Sequence, residues 1–326
     1  MKKNIQQNIE LGLELYKKMY LIRLAEEKIR EYYPKDEIKM PVHLAIGEEA
    51  IAAGVCQALR TQDQIFGTYR NHGIYLAKTN DTYYFFAELF GKKTGLSQGK
   101  AGSMHIMAPE KGFMVTSAIV ASTIPIAVGA AFANQYKKNN KITAVFFGDG
   151  AVDEGVFWES LNFACLKQLP ILFICEDNSY AIHSHIKERH GYKSITEITK
   201  KFDCLNYQTE TTDVEKIFNL TKTAIKECLK FHKPVFMHLK YYRYLQHVGI
   251  NKDFHFGYRS ENEFVQWFKK DPITLQRNRL LNTLKDEAFL LKIESEINNK
   301  IVKSINLARQ DKFPTKDELY QDVYYE

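Results

Sequence analysis

Apolar residues recur along the chain at spacings that predict long helices and short buried strands. Between residues 8 and 33, apolar side chains return at roughly helical intervals with charged side chains between them, which predicts an amphipathic helix. Residues 48–59 and 124–138 are rich in alanine and glycine. Small side chains let a helix lie close to a sheet, so we expect both segments to be helices packed on a sheet.

The middle of the chain predicts a parallel sheet. Residues 141–147 form a short apolar run with β-branched and aromatic side chains, 153–168 has helical periodicity, and 169–178 is a second apolar run. A strand, a helix and a strand of these lengths make a right-handed parallel crossover. Residues 214–232 and 233–243 repeat the helix-then-strand order. The fold class is therefore α/β, with a mostly parallel sheet covered by helices on both faces.

Length and composition fit one large domain. The chain has 326 residues, of which 45% are hydrophobic and 13% aromatic, enough to bury a sizeable core. We predict a single domain over residues 1–326, with an N-terminal helical segment at about 1–40 and a C-terminal helical arm at about 260–326. The arm ends in an aromatic-rich tail, residues 313–326, which is a candidate docking segment.

The charges and cysteines exclude several classes of protein. The 45 lysines and arginines exceed the 39 acidic residues by 6, and they lack the clustering with aromatic residues that is typical of nucleic-acid-binding proteins. No stretch holds the roughly 18 consecutive apolar residues of a membrane span, and we expect no signal peptide. The five cysteines lie far apart without a CxxC pair, so we expect free thiols and a cytoplasmic protein.

The stretch FFGDGAVDEG, residues 146–155, carries the clearest chemistry. Asp149 lies between Gly148 and Gly150, where the predicted strand ends. Ligands of parallel sheets bind beyond the carboxyl ends of the strands. The glycines permit a tight turn and a close approach of the backbone to a ligand, and the following helix presents N–H groups to an anion. An aspartate alone would repel that anion, so we expect a divalent cation between them. The alternative is an aspartate that only caps a helix.

A second polar residue is expected beside Asp149. Asn178 follows the next predicted strand, and parallel neighbours end at the same edge of a sheet. Its amide oxygen and the backbone carbonyl of Tyr180 would add two neutral donors. Mg²⁺ prefers about six oxygen ligands and takes many of them from phosphates and water. We therefore predict a magnesium site made of Asp149, Asn178 and Tyr180, bound together with a diphosphate.

The segment from Gly148 to Asn178 resembles the thiamine diphosphate motif, which opens with Gly-Asp-Gly and closes with an asparagine. More narrowly, the chain resembles the alpha subunit of the first, decarboxylating component of 2-oxo acid dehydrogenase complexes of the pyruvate, branched-chain and acetoin types. The resemblance covers nearly the whole chain and implies the diphosphate-binding half of a thiamine diphosphate-binding fold. Further matching stretches, in the family's order, are PVHLAIGEEA (41–50), GTYRNHG (67–73), GKAGSMH (99–105), KYYRYLQHVG (240–249) and YRSENEFVQWFKKDPI (258–273).

The resemblance implies roles for individual residues. His247, His43 and His72 match family histidines at the reaction centre, and His247 is implied to assist transfer of the two-carbon unit. Ala118 and Val120 lie where backbone groups of the family hold the aminopyrimidine ring. The implied cofactor-binding residues are Tyr69, Arg70, Ala118, Val120, Gly148, Asp149, Gly150, Ala151, Asn178, Tyr180, Arg243 and His247.

The resemblance also implies the reaction and the partners. Family members use thiamine diphosphate and Mg²⁺ to decarboxylate a 2-oxo acid, or to cleave an acetoin-like substrate, and pass the acyl or aldehyde unit to an acceptor such as a lipoyl domain. A separate beta subunit supplies the glutamate that activates the cofactor, and Glu154 and Glu176 are poor substitutes because both fall within the diphosphate motif. We therefore expect an alpha2-beta2 heterotetramer, with a lipoyl-bearing acyltransferase as a further candidate partner.

Two residues depart from the family pattern. Leu245 stands in place of a family histidine, and Val248 stands in place of the serine that is phosphorylated in animal homologues, which excludes regulation by that phosphorylation. Losing a polar group beside the phosphates leaves the substrate and the acceptor open. The alternatives are a thiamine diphosphate-dependent carboligase or transketolase-like enzyme of a biosynthetic pathway, and a scaffold that keeps the fold without catalysis.

Overall fold

The computed structural model describes residues 2–321, with side chains from residue 6 onward. The strands are β1 (Gln64–Thr68), β2 (Phe113–Ser117), β3 (Thr143–Gly148), β4 (Ile171–Asp177), β5 (Tyr180–Ala181), β6 (Ser184–His185), β7 (Leu205–Thr209) and β8 (Val235–Lys240). The helices are α1 (Lys2–Tyr32), α2 (Glu49–Ala58), α3 (His72–Thr79), α4 (Tyr83–Leu89), α5 (Thr123–Tyr136), α6 (Gly155–Lys167), α7 (Ile186–Arg189), α8 (Ile195–Thr199), α9 (Val214–Phe231), α10 (Glu261–Phe268), α11 (Pro272–Leu284) and α12 (Glu287–Gln310).

Six strands form one parallel sheet in the order β2-β1-β3-β4-β8-β7. The central strand β4 is buried along its whole length, and β3 is buried except at its last residue. A strand covered on both faces reads as a continuous apolar run, and this explains why 141–147 and 169–178 were recognisable in the sequence. Strands β5 and β6 form a small antiparallel hairpin outside this sheet.

Helices cover both faces of the sheet. On one face α5 and α6 bury Ile124, Val128, Phe157 and Leu161 against the strands. The larger core on the other face includes residues of α1, α2, α3 and α9. The predicted helices at 8–33, 48–59, 124–138, 153–168 and 214–232 are all confirmed as α1, α2, α5, α6 and α9. The predicted α/β class with a parallel sheet is likewise confirmed.

The C-terminal part is helical, as predicted, through α10, α11 and α12. Helix α12 packs on α4, and Tyr83 of α4 donates a 2.7 Å hydrogen bond to Asp311 just beyond α12. The tail then returns along the surface, where Glu318 pairs with Lys93. The last five residues of the proposed docking tail, 322–326, lie outside the described residues. Among the helices at 2–321, none has the length and apolar character that crossing a membrane requires.

Candidate active site

A cavity of about 280 Å³ opens at the carboxyl ends of β1, β3 and β4. After β1 the chain forms β2 on one side of it, and then crosses back to form β3 on the other side. Strand order therefore reverses between β1 and β3. Open parallel sheets bind ligands at such a switch point. The cavity is lined by Glu48, Thr68, Tyr69, Arg70, Val120, Gly148, Asp149, Gly150, Ala151, Asp153, Glu154, Glu176, Asn178, Tyr180, Ala181, Ile182, Tyr241 and His247.

Asp149 follows β3 directly and begins a short 3-10 turn that leads into α6. Its side chain is fully buried. One carboxylate oxygen, Oδ2, pairs with Arg189, whereas the other, Oδ1, has no hydrogen-bond partner among residues 2–321. Burial, reinforced by the nearby charge of Asp177, raises the pKa of Asp149 to about 6. An unpaired buried carboxylate oxygen on a cavity wall is a fitting ligand for a cation.

The two glycines beside Asp149 have different roles. A Cβ atom at Gly150 would lie 2.9 Å from the Cβ of Ala181, so the β5–β6 hairpin can pack on this turn only if residue 150 is glycine. At Gly148 the backbone is ordinary extended chain, and a Cβ would meet only the Glu176 carbonyl oxygen at 3.9 Å. Gly148 therefore leaves open space on the cavity wall, where a ligand can approach the backbone.

Asn178 lies beside Asp149 on the cavity wall, as the sequence predicted. Its side-chain nitrogen donates a 2.9 Å hydrogen bond to the hydroxyl of Tyr241, and its Oδ1 accepts a 3.0 Å bond from the backbone N–H of Tyr180. These two contacts fix the orientation of the amide. Asp149, Asn178 and Tyr180 all line the same cavity.

Arg189 is a site residue that the sequence did not reveal. Its guanidinium pairs with both Asp149 and Asp153, from the short helix α7. No motif pointed to it, since α7 has only four residues and follows an irregular hairpin. The pairing gives the buried Asp149 a counter-charge within the chain.

Two further arginines support the cavity. Arg70 is buried and donates to the backbone oxygens of Leu44 and His247, at 2.5 and 3.1 Å, and it forms no ion pair with any residue the structure describes. Arg243 lies behind the wall, 3.7 Å from the Asp253 carboxylate, and donates to Tyr258. An unneutralised buried guanidinium on the wall favours an anionic ligand.

The rings of Tyr69 and His247 line the cavity, and that of His43 packs against both. The ring of His43 lies 4.4 Å from that of Tyr69 and 5.2 Å from that of His247. Burial and the adjacent Arg70 lower the pKa of His247 to about 2 and that of His43 to about 3. Arg243 can only donate, and its guanidinium lies 3.3 Å from Nδ1 of His247. The neutral ring therefore carries its proton on Nε2.

A pair of buried carboxyl groups forms the inner wall. Glu48 and Glu176 share a hydrogen bond, which requires a proton between them. Burial raises the pKa of Glu48 to about 7, and burial together with Glu48 raises that of Glu176 well above its usual range. Neither residue was a sequence candidate for the site. A signal for Glu48 was present, because it lies in PVHLAIGEEA, one of the stretches that match the family.

The remaining predicted residues lie off the cavity wall. His43 and Arg243 touch His247 and so stand directly behind it. His72 is fully buried, with Nδ1 3.2 Å from Glu26 and Nε2 2.8 Å from the hydroxyl of Ser103. Ala118 is partly buried in the turn before α5. The structure therefore brings neither His72 nor Ala118 to the cavity.

No cluster of three or more His, Cys, Asp or Glu side chains within residues 2–321 is arranged to hold a metal ion. The donor set predicted from the sequence contains only one such residue, Asp149, beside an amide and a backbone carbonyl. Such a set suits Mg²⁺, which completes its shell from phosphate and water. The unpaired Oδ1 of Asp149 fits this arrangement.

Known proteins resemble the chain along nearly its full length. The family model described as dehydrogenase E1 component matches residues 16–317. The pyruvate dehydrogenase E1 component subunit alpha of Rhizobium meliloti (strain 1021) is 33% identical over 318 residues, 96% of this chain and 90% of the relative. The subunit alpha of acetoin:2,6-dichlorophenolindophenol oxidoreductase of Bacillus subtilis (strain 168) is 33% identical over 316 residues, 97% of this chain and 94% of the relative.

Proposed function

Because the chain belongs to the dehydrogenase E1 component family, we propose that it is the alpha subunit of a thiamine diphosphate-dependent 2-oxo acid dehydrogenase. The observation that supports this most is the convergence of Asp149, Asn178 and Arg70 on one cavity at the switch point of the sheet. The three side chains offer a carboxylate and an amide oxygen for a cation and a guanidinium for an anion. A magnesium diphosphate requires this combination.

The cofactor would be held mainly through its diphosphate. Asp149, Asn178 and the backbone carbonyl of Tyr180 would bind Mg²⁺. Arg70 and the Tyr69 hydroxyl would donate to the phosphates, with Arg243 supporting them from behind through His247. When bound, thiamine diphosphate supplies the nucleophilic carbon and the electron sink that decarboxylation of a 2-oxo acid needs.

His247 is the residue we propose as hydrogen-bond donor to the reacting group. Its Nδ1 faces Arg243, which leaves the Nε2 proton for the cavity. Since its pKa is far below neutral, the ring stays uncharged and acts as a hydrogen-bond donor beside Arg70. His43 packs against His247 and Tyr69 and holds both rings in place.

The departure at residue 245 lies outside the cavity. Leu245 is buried in the larger core, and its backbone oxygen accepts hydrogen bonds from Arg243 and Arg259. Val248 is about half exposed. The leucine that replaces the family histidine therefore packs in the core, and its backbone oxygen still holds Arg243 in place. The carboligase was considered because a polar group beside the phosphates was expected to be missing. Since residue 245 lies outside the cavity, the structure favours the dehydrogenase.

We propose that a beta subunit completes the site. The glutamates on the cavity wall are poorly suited to activate the cofactor. Glu176 pairs with Glu48, and Glu154 is exposed at the start of α6. A glutamate facing the far end of the cofactor would have to come from another chain. The names of the relatives, each a subunit alpha, support an alpha and beta assembly, which we propose to be alpha2-beta2.

Reconstitution tests this proposal. The chain and its beta subunit, mixed with thiamine diphosphate and Mg²⁺, should reduce an artificial electron acceptor with pyruvate, a branched-chain 2-oxo acid or acetoin as substrate. The chain alone should show no turnover. Full turnover of the chain alone, or no cofactor uptake by the pair in calorimetry, would refute the proposal.

A second assay separates the acceptors. Reduction of an added lipoyl domain would identify a complex with a lipoyl-bearing acyltransferase, whereas carbon–carbon bond formation with an aldehyde would identify a carboligase. We further propose one domain over the whole chain and a cytoplasmic location, which the five free cysteines support.

A further inference from the structure

A second cavity, of about 640 Å³, lies at the same edge of the sheet beyond β4, β8 and β7. We call it the β4–β8 cavity. It shares no lining residue with the cofactor cavity, and the chain segment 179–195 forms its outer wall. Small-molecule sites typically measure about 300–1,000 Å³. The β4–β8 cavity therefore has the size and the position of a ligand site.

Two buried side chains from adjacent strands form its floor. Asp177 ends β4, His238 lies on β8, and Nε2 of His238 is 2.6 Å from the Asp177 carboxylate. Nδ1 of the same ring is 3.2 Å from the hydroxyl of Thr196. Both residues are buried, and neither takes part in the reaction proposed above. The floor is polar and is held in place by these contacts.

The rim carries an excess of positive charge. Lys240 pairs with Glu210 at 3.0 Å. Lys187 and Lys193 also line the cavity, and their side chains make no ion pair or hydrogen bond within the described part of the chain. Tyr192 and Gln208 add a hydroxyl and an amide to the lining, and both groups can donate. Two unpaired ammonium groups beside neutral donors suit an anion.

We propose that the β4–β8 cavity binds a small anion that carries a phosphate or carboxylate group, and that this anion regulates cofactor binding. The binding itself is independent of the function proposed above, whereas the regulation rests on it. Lysine ammonium groups form charge-assisted hydrogen bonds with either kind of oxyanion.

Regulation follows from the way the two cavities share one short segment. Asp177 faces the β4–β8 cavity and the next residue, Asn178, faces the cofactor cavity. The backbone N–H of Ser179 donates a 2.7 Å bond to Asp177, and that of Tyr180 donates to Asn178. The same segment carries Arg189, which pairs with Asp149. A ligand that draws Lys187 and Lys193 inward would therefore shift the segment that contacts Asp149 and Asn178, the two side chains proposed to bind Mg²⁺.

Calorimetry with two probes tests the site. The full chain with its beta subunit, saturated with thiamine diphosphate and Mg²⁺, is titrated with inorganic phosphate in one arm and with succinate in the other. Saturation fills the cofactor cavity, so the phosphate signal cannot come from Arg70. Should the cofactor fail to bind, the same titration on the unloaded Arg70→Gln chain reports on the second site alone, which separates the two proposals.

Two sets of variants decide whether the cavity is the site. The double variant Lys187→Gln with Lys193→Gln should weaken binding at least about tenfold, equivalent to about 1.4 kcal/mol. The matched control, Lys222→Gln with Lys226→Gln, removes two exposed lysines from α9 and should bind as the unmodified chain does. Gln208→Trp narrows the cavity, keeps every charge and should weaken binding.

Three outcomes would overturn the site. They are no saturable binding of either probe, equal losses in the test and control lysine pairs, and undiminished binding by Gln208→Trp. Regulation is tested by measuring the Kd of thiamine diphosphate with and without saturating probe. The Kd should change in the unmodified protein and stay constant in the Lys187 and Lys193 double variant. A constant Kd in both would refute regulation and leave the binding site standing.

Discussion

Asp149 is the side chain whose charge the proposed cofactor site needs most. The Asp149→Asn variant keeps the shape of the side chain but removes the charge that attracts Mg²⁺. We expect thiamine diphosphate binding in the presence of Mg²⁺ to weaken roughly hundredfold, or about 3 kcal/mol, in calorimetry. Asp203→Asn, which alters an exposed carboxylate paired with Lys233, is the control. Native affinity in Asp149→Asn would contradict the assignment.

Arg189 places a positive charge next to the position proposed for the metal. A divalent cation on the free Oδ1 of Asp149 is repelled by the guanidinium that holds Oδ2. Arg189→Gln should therefore tighten Mg²⁺ binding, by a factor of up to about ten. Arg189→Lys keeps the charge and should resemble the native chain. Weaker Mg²⁺ binding in the glutamine variant would show that Arg189 instead orients Asp149.

Glu26 gives the fold a dependence on pH. Burial raises the pKa of Glu26 to about 8, against about 4.3 for a glutamate in an unfolded chain. The folded state holds this proton more tightly than the unfolded state, so the stabilisation is lost as pH rises toward 8. From this carboxyl alone, the free energy of unfolding should fall by up to about 1.4 kcal/mol per pH unit between about pH 4.3 and 8, then level off.

The Glu26→Gln variant isolates this effect. Glutamine can still accept the hydrogen bond from the Ala45 N–H, but it cannot ionise. Denaturant unfolding at several pH values should show a smaller fall for the variant than for the native chain. The buried histidines have lowered pKa values and act in the opposite sense, at pH values below about 6.5. Equal falls in both proteins would exclude Glu26 as the cause.

At the scale of elements, the sequence revealed the three inner strands with long apolar runs and missed the short inner strand β1 and the edge strands. β3 and β4 are apolar throughout and were predicted, and β8 was predicted from its place after a long helix. β1 contains a glycine, and β2 and β7 lie at the edges of the sheet with half-buried side chains. Their patterns alternate too little to be distinguished from loops.

Site residues that follow predicted strands could be predicted, whereas those on short or irregular segments could not. Asp149 and Asn178 follow predicted strands, so parallel pairing alone places them side by side. Arg189 reaches Asp149 from a short helix, and Glu48 reaches the cavity wall from the residue before α2. The paths of both segments depend on tertiary packing. The resemblance also named His72, which instead bridges Glu26 and Ser103 within the core.

Glu88 organises the loop that contains the GKAGSMH stretch. Its buried carboxylate accepts hydrogen bonds from the backbone N–H groups of Ser97, Gly99, Ala101 and Gly102, at 2.8 to 3.0 Å. Glu88→Gln offers one acceptor oxygen in place of two, so at least two of these N–H groups should lose their partner. We expect a loss of about 2–4 kcal/mol. Denaturant unfolding and hydrogen exchange of the four amides would measure it.

The Glu88 prediction has a control on the same loop. Lys100→Gln changes a neighbouring exposed side chain and leaves the carboxylate in place. Its amide exchange should match that of the native chain. If Glu88→Gln exchanges these amides no faster than Lys100→Gln does, the carboxylate does not hold the loop.

At the scale of the whole molecule, one apolar surface is left uncovered. Ile126 and Tyr136 of α5 and Leu166 of α6 are more than half exposed, and the rings of Phe132 and Phe163 meet between these helices. Helix α5 begins just after Val120, on the wall of the cofactor cavity. A chain that completes the cavity would lie next to the start of α5. We expect the beta subunit to cover this surface.

Ile126→Asp tests this expectation. The side chain is exposed in the isolated chain, so the variant should fold with native stability, but its charge would be buried in a complex. Sedimentation should show weakened association with the beta subunit. Leu229→Asp, on the exposed side of α9, is the control and should assemble normally. Normal assembly of Ile126→Asp would place the beta subunit elsewhere.

The pairing of Arg189 with Asp149 has a consequence for the life of the protein in a cell. In a newly made subunit, Arg189 neutralises the buried Asp149 without a metal ion. The subunit can therefore fold before it binds thiamine diphosphate. We expect cells short of thiamine to accumulate a folded reserve of this subunit and spare it from proteolysis. Renewed supply would then restore activity without fresh protein synthesis.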